Sequence, residues 1–231
     1  ADDRRKRLAT IATMDLSLPQ LIAVFAVPAI FAITLHEAAH GYVAWLLGDP
    51  TARLAGRVSA NPLKHIDPIG TIAVPGILLL LSKLSGTGLA LFGWAKPVPV
   101  VYSNLRRPRR DMGLVAAAGP GSNILMAIGW ALLARLAAGE GELARFMVLV
   151  GIAGVQVNMI LALLNLMPIP PLDGGRIVTS LLPPRLADAY SRIEPYGLVI
   201  LVGLLVTGVL GRILFPLIAW SSRAVLSLTG F

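Results

Sequence analysis

Four stretches of this chain, at about residues 18–47, 113–138, 143–167 and 195–228, are apolar over lengths that approach the thickness of a bilayer. Inside lipid a backbone has no water to bond to, so such stretches must satisfy their own peptide groups as helices. The last run is interrupted near Gly208 to Arg212 and is expected to form two shorter helices. Across 231 residues the hydrophobic share is 56% and the charged share 14%, outside the usual range for a water-soluble domain. The expected fold is an all-α polytopic membrane protein, a transmembrane helical bundle.

The net charge of +8 raises the question of nucleic acid. The basic residues, however, gather at the ends of apolar runs, as in Arg4 to Arg7 and Arg106, Arg107, Arg109 and Arg110, which suits lipid headgroups and topology better than DNA. Nucleic acid is therefore not an expected partner, and the bilayer is. Cysteine is absent, so any metal must be held by histidine and carboxylate.

Residues 1–17 read as a polar, basic leader that could be foreign to the protein, residues 18–182 as a catalytic membrane core, and residues 183–231 as a C-terminal helical hairpin. Within the core, residues 53–101 are rich in proline and turn residues, and their apolar stretches are too short to span. They are expected to form a small β-like, re-entrant segment at the membrane face, with residues 89–101 as a strand whose edge could pair with an extended peptide.

The first apolar run contains His36-Glu37-Ala38-Ala39-His40. On a helix, residues four apart share a face, so the two imidazoles can meet one metal ion with Glu37 beside them. Zinc brings the pKa of a bound water to about 7, and a neighbouring carboxylate can then take its proton. Glu37 is the candidate base. The same pattern occurs by chance in soluble proteins. Here two of the chain's three histidines sit in an apolar helix, where each ionisable group is costly and marks a functional site.

A catalytic zinc usually takes three protein ligands. Asp173 and His65 are the candidates for the third, and Asp173 is favoured because prolines end the helix before it and Gly174 and Gly175 permit a tight path back to the bundle. Asn123 and Asn165 are candidate substrate-binding or oxyanion residues, with ordinary interhelical hydrogen bonding as the alternative. Gln156 and Asn158 are expected to serve packing. Gly119, Gly121 and Gly129 are expected to allow close helix contact, and Trp94, Tyr102, Trp130 and Trp220 to anchor at the interface.

Three motifs in this order resemble the site-2 protease family: His36 to His40 on the first hydrophobic helix, Ala118-Gly119-Pro120-Gly121-Ser122-Asn123 opening a later one, and Asn165 to Gly175 in the form NxxPxPPLDGG. Asn61 to Pro68 and Phe92 to Pro99 look like its compact prokaryotic branch, expected to lack an appended PDZ or CBS domain. The resemblance implies one zinc ion held by His36, His40 and Asp173, Glu37 as catalytic base, and cleavage of the transmembrane segments of other proteins. It also implies a multi-pass protein of the prokaryotic inner or plasma membrane. The reading from another class is a metal-handling or transport protein that uses the histidine pair as a transit site. A transporter needs no general base, so Glu37→Gln separates the two.

If His36, His40 and Asp173 share a metal they lie at one depth. The runs 18–47 and 143–167 must then be parallel, and the chain between about 69 and 100 must cross the membrane an even number of times. Arg53, Arg57, Lys64, Arg106, Arg107, Arg109, Arg110, Arg176, Arg185 and Arg192 then share a side, with Glu140 and Glu142 opposite, which turns the site towards the cytoplasm. Arg4 to Arg7 alone oppose this orientation.

Overall fold

Ser17 opens the first helix: its N–H donates to Gln20 Oε1 at 3.0 Å, one arm of a capping box. From there α1 runs over Leu18–Leu46 in a computed structural model that describes residues 17–73, 77 and 95–231. A single turn, α2 (Thr51–Leu54), follows, and then the long helices α3 (Pro108–Leu136) and α4 (Glu142–Asn165). Four further helices complete the chain: α5 (Asp173–Leu181), α6 (Pro184–Ser191), α7 (Gly197–Val206) and α8 (Val209–Leu228). The break foreseen near Gly208 lies between α7 and α8. Among the described residues five helical segments are long and apolar enough to cross a membrane: Ile22–Leu46, Pro108–Leu136, Glu142–Asn165, Pro184–Val206 and Val209–Leu228.

The centre is a three-helix bundle of α1, α3 and α4. Near its start α1 packs Val24 against Leu149, Val150 and Ala153 in the first half of α4, so these two helices run parallel. Helix α3 runs against both. Its Val115 sits beside Ala44 of α1, and its Ala127 and Ala131 beside Val155 and Met159 of α4. Ala32, Ala127, Ala131, Ala134 and Ala153 are all buried, and such small residues let backbones approach where lipid removes the hydrophobic drive for association. The outer faces have the opposite character. Leu125, Leu136, Val199, Phe215 and Trp220 are each at least 70% exposed, a surface suited to acyl chains rather than water.

Helix α8 lies along α4. Its Leu210 and Leu214 pack with Leu201 of α7, and its Val225 joins the Ala127 and Ala131 cluster. Trp130 is half-buried, with its ring edge-on to Phe31 and against Gly154. Tyr102 and Trp220 are exposed, and Trp94 falls outside the described residues.

The two ends of the segment between α1 and α3 meet. Arg106 N–H donates to Leu47 C=O at 3.0 Å, so the chain that leaves the bundle after α1 comes back to the same end of it. Among the described residues this segment forms no strand, contrary to the β-like reading of 53–101. Pro62 starts a 3₁₀ turn (Pro62–Lys64) capped by Asn61, and a π turn (Pro68–Ala73) follows Asp67, which accepts from Ile69 and Gly70 N–H. In residues 95–101, Pro97 and Pro99 have no N–H, while those of Lys96, Val98 and Val101 go to His65, Glu37 and Asp49. A ladder has few donors left to use. Residues 89–94 of the expected strand lie outside the described residues.

Candidate metal centre

His36 and His40 project from one face of α1 towards α3, with ring centroids 4.7 Å apart. Asp173 opens α5, where the positive end of the helix favours a carboxylate. It arrives there because the turn after α4 folds back tightly. A Cβ on Gly174 would lie 2.3 Å from Leu166 C=O, so only glycine lets α5 begin so close to the end of α4. Tyr190 of α6 holds that turn, its hydroxyl donating to Pro168 C=O at 2.7 Å.

Three atoms converge as a result: His36 Nε2, His40 Nε2 and Asp173 Oδ2, separated by 3.1, 3.2 and 3.3 Å. All three residues are buried, and their ligand atoms form the one cluster with metal-holding potential among the described residues. His65 is not in it. That ring is buried elsewhere, with Nε2 donating to Ser59 C=O at 3.0 Å.

The hydrogen bonds behind the two imidazoles decide what the triangle can hold. His40 Nδ1 lies 2.7 Å from Val115 C=O, which can only accept, so Nδ1 carries the proton. His36 Nδ1 lies 2.6 Å from Asn123 Oδ1. The orientation of that amide is fixed, because Asn123 Nδ2 donates to Asn158 Oδ1 at 2.9 Å and to Ala32 C=O at 3.3 Å. Asn158 Nδ2 in turn donates to Gly154 C=O on its own helix at 2.8 Å. Both Nε2 atoms therefore present bare lone pairs, and Asp173 Oδ2 is buried with no hydrogen-bond donor. Three lone pairs facing one another repel unless a cation lies between them. Donors about 2.0 Å from a tetrahedral zinc lie about 3.3 Å apart, which matches the triangle, and the set of two imidazoles and a carboxylate leaves a fourth position open. The residues fit zinc.

Each remaining candidate has a definite place. Glu37 follows His36 on α1 and is half-buried, with Oε2 accepting from Val98 N–H at 2.9 Å. Asn123 is fully buried with both side-chain atoms engaged by the helices around it, so it stands behind His36. Asn165 is half-buried and its Nδ2 donates to Leu161 C=O in its own last turn at 2.9 Å. Arg176 is exposed and makes no ion pair with Asp173.

Two participants escaped sequence reasoning. Asn158, expected to serve packing, is the second link behind His36. Gly119 lies under the imidazoles: a Cβ there would fall 2.4 Å from His40 Nε2 and 2.6 Å from His36 Nε2, so any side chain would occupy the ligand positions. Gly121 and Gly129 face open space among the described residues. The signal for Gly119 was its place in the Ala118 to Asn123 motif, where it could not be told from its neighbours.

Comparison with known proteins agrees with this chemistry. Residues 135–208 match the profile of peptidase family M50. YwhC of Bacillus subtilis, named as a zinc metalloprotease, is 39% identical over 206 residues, covering 86% of this chain and 87% of its own. Rip2 of Mycolicibacterium smegmatis, also so named, is 32% identical over 193 residues, 83% of this chain and 70% of its own. Rip2 of Mycobacterium tuberculosis is 27% identical over 191 residues, 81% of this chain and 68% of its own. No solved structure matches the chain.

Proposed function

The chain belongs to peptidase family M50, the site-2 protease family of zinc metalloproteases, and on that premise we propose that His36, His40 and Asp173 hold one zinc ion with Glu37 as the catalytic base. The observation that carries this reading is the convergence of three buried lone pairs whose tautomers are fixed from behind. Bound there, zinc supplies Lewis acidity that brings a water near neutral pKa and polarises the scissile carbonyl. Glu37 takes the proton of the attacking water on its carboxylate and passes it to the departing amine nitrogen. Asn123 holds the Nδ1 proton of His36, and Val115 C=O that of His40, so both rings keep Nε2 turned inward. Asn123 is thereby assigned to orienting a ligand, and Asn165 keeps the proposed contact with an unwound substrate or the oxyanion.

The proposed substrates are transmembrane segments of other proteins. The triangle is carried by helices whose outer faces suit lipid, and an apolar groove of about 480 Å³ lies beside it. Ala39 and Ala118, neighbours of His40 and Gly119, both line that groove. The return of the chain to Leu47 supports a re-entrant segment between α1 and α3. Pairing with an extended substrate is left to residues 89–94 and to the N–H groups of Ala95 and Val100. We place residues 18–182 as the catalytic core and 183–231 as an accessory hairpin, in a prokaryotic inner or plasma membrane. The cationic end of the bundle, with Arg53, Arg106, Arg110 and Arg185, is assigned to the cytoplasm, since Lys and Arg are more numerous there than at the other end, where Arg135 and Arg145 lie.

The test is co-expression of wild type or Glu37→Gln with a panel of single-pass membrane proteins, together with zinc measured on the purified protein. Fragments that appear with wild type alone, and zinc in both, are expected. A protein without zinc that yields no such fragment would overturn the reading.

A further inference from the structure

A general base has to be aimed, and nothing on α1 aims Glu37. Its Oε2 is held by the backbone N–H of Val98, sixty-one residues away in the chain, which leaves Oε1 as the oxygen able to take a proton. Pro97 and Pro99 flank Val98, so its N–H is the one donor in three consecutive residues, and the prolines stiffen the path on both sides. The Val98 side chain is also seated. It is 8% exposed and fills a notch at Gly41, one turn beyond Glu37 on α1, where a Cβ would lie 3.1 Å from Val98 Cγ1 and 3.0 Å from Ala52 Cβ.

Arg57 secures the chain just before this point. Its Nη2 donates to Lys96 C=O at 2.6 Å and to Pro97 C=O at 3.4 Å. Arg57 as a residue is 8% exposed, its Nε is buried without an acceptor, and it forms no ion pair among the described residues. Burying a cation against carbonyls alone is costly, and a packed apolar residue at position 57 would avoid that cost. A purely structural anchor does not need it. What Arg57 adds is one nitrogen, Nη2, shared between two successive carbonyls, tightly at Lys96 and at longer range at Pro97, whose peptide plane carries the Val98 N–H.

We propose that Arg57 is a positioning residue for Glu37, acting through the Lys96–Pro97–Val98 backbone to hold the base carboxylate in its working orientation. The proposal rests on Glu37 being the base. It predicts a loss in turnover rather than in substrate or zinc binding, since a misaimed base slows proton transfer while the ligands stay in place.

The experiment uses the full chain in detergent and a quenched fluorescent single-span Leu/Ala peptide chosen because wild type cleaves it. Arg57→Ala and Val98→Pro are each expected to lower kcat by about 10- to 100-fold, with KM within about threefold and one zinc retained. Val98→Pro deletes the donor while keeping an extended path, and it leaves Arg57 intact should Arg57→Ala fail to fold. Arg57→Lys, which keeps a donor to one carbonyl, should recover part of the rate. The double variant should be little slower than either single one, because Arg57→Ala misaligns the hydrogen bond that Val98→Pro deletes. Wild-type kcat in zinc-loaded Arg57→Ala and Val98→Pro, or additive losses in the double variant, would overturn the positioning role. Glu37→Gln in the same assay separates the two readings: if it cleaves as wild type does, the base assignment itself has failed.

Discussion

The metal triangle and the Val98 segment both bear on the same two turns of α1, yet they are held there in opposite ways. The imidazoles are fixed by partners on neighbouring long helices, Val115 and Asn123 on α3 and Asn158 on α4, inside a bundle of small residues that cannot shift independently. Glu37 is met by irregular chain, with no helix or ladder from residue 95 to 101, held by side chains that reach over from Asp49 and Arg57. Ligands need fixed distances, which packed helices supply. A base needs its aim and also room for a peptide to reach it, and a segment tied at a few points can provide both.

The largest effects should come from breaking each side of this comparison at its centre. His36→Ala removes one vertex of the triangle and should abolish both stoichiometric zinc and cleavage; activity in the zinc-free variant would overturn the ligand assignment. Glu37→Gln should lower cleavage by about 10²- to 10⁴-fold while zinc stays bound. Chelation should copy His36→Ala and be reversed by added zinc. A Glu37→Gln protein that loses zinc would instead mean that the two systems are not separable.

Next come changes behind the ligands. Asn123→Ala leaves the Nδ1 proton of His36 without its acceptor and frees the ring to turn. Zinc affinity should fall about 10- to 100-fold, read by competition with a coloured chelator. Asn158→Ala should do the same to a smaller degree, because Asn123 keeps its contact with Ala32 C=O. Gly119→Ala brings a methyl within 2.6 Å of both imidazoles. It should weaken zinc binding and cost about 1–3 kcal/mol in stability as the rings are displaced. Unchanged zinc retention in Gly119→Ala would show that α1 and α3 can separate more easily than their packing suggests.

Much of the triangle was legible in the sequence because helical spacing is a short-range rule: His36 and His40 are one turn apart wherever the helix sits. The prolines and glycines around Asp173 announced a sharp return for a similar local reason. The parallel course of α1 and α4 followed from requiring one depth for both sites, and the Val24 contacts of α4 agree with it. What could not be read was whatever depends on tertiary approach. Nothing in the local pattern separates Gly119 from Gly121, or Asn158 from Gln156, until α3 and α4 are placed against α1. The strand expectation for 89–101 went astray over residues 95–101, where helix-blocking prolines and apolar residues suggested a strand, but Pro97 and Pro99 also removed donors, and the N–H groups of Lys96, Val98 and Val101 went to His65 C=O and to the side chains of Glu37 and Asp49. Arg57 read as one of several interfacial cations because its acceptors, carbonyls some forty residues on, carry no mark in the sequence.

The smallest effect on chemistry, and the sharpest test of how the irregular segment is tied down, is expected at Asp49. Its carboxylate is fully buried just beyond α1 and accepts from Thr51 N–H at 3.0 Å, Asn104 Nδ2 at 3.0 Å, Val101 N–H at 2.6 Å and the Thr51 hydroxyl. Burial alone would push its pKa up, but the bonds from Thr51, Asn104 and Val101 outweigh it and hold the value below the ordinary 3.8. A depressed value means that the stabilisation is fully present above about pH 4. It is lost as pH falls through the folded-state value, because the proton then binds the unfolded chain more readily. Asn at this position would turn an NH₂ group towards one of these donors and leave it unsatisfied, a cost of about 1–3 kcal/mol. Thermal melts in detergent should therefore show Asp49→Asn well below wild type at pH 7, with the gap narrowing as the pH is lowered past 4. Cleavage at a temperature where both are folded should fall less than in Val98→Pro, since Asp49 grips the segment three residues beyond the amide that meets Glu37. A gap independent of pH would show that the charge of Asp49 contributes nothing and that its shape alone holds the segment.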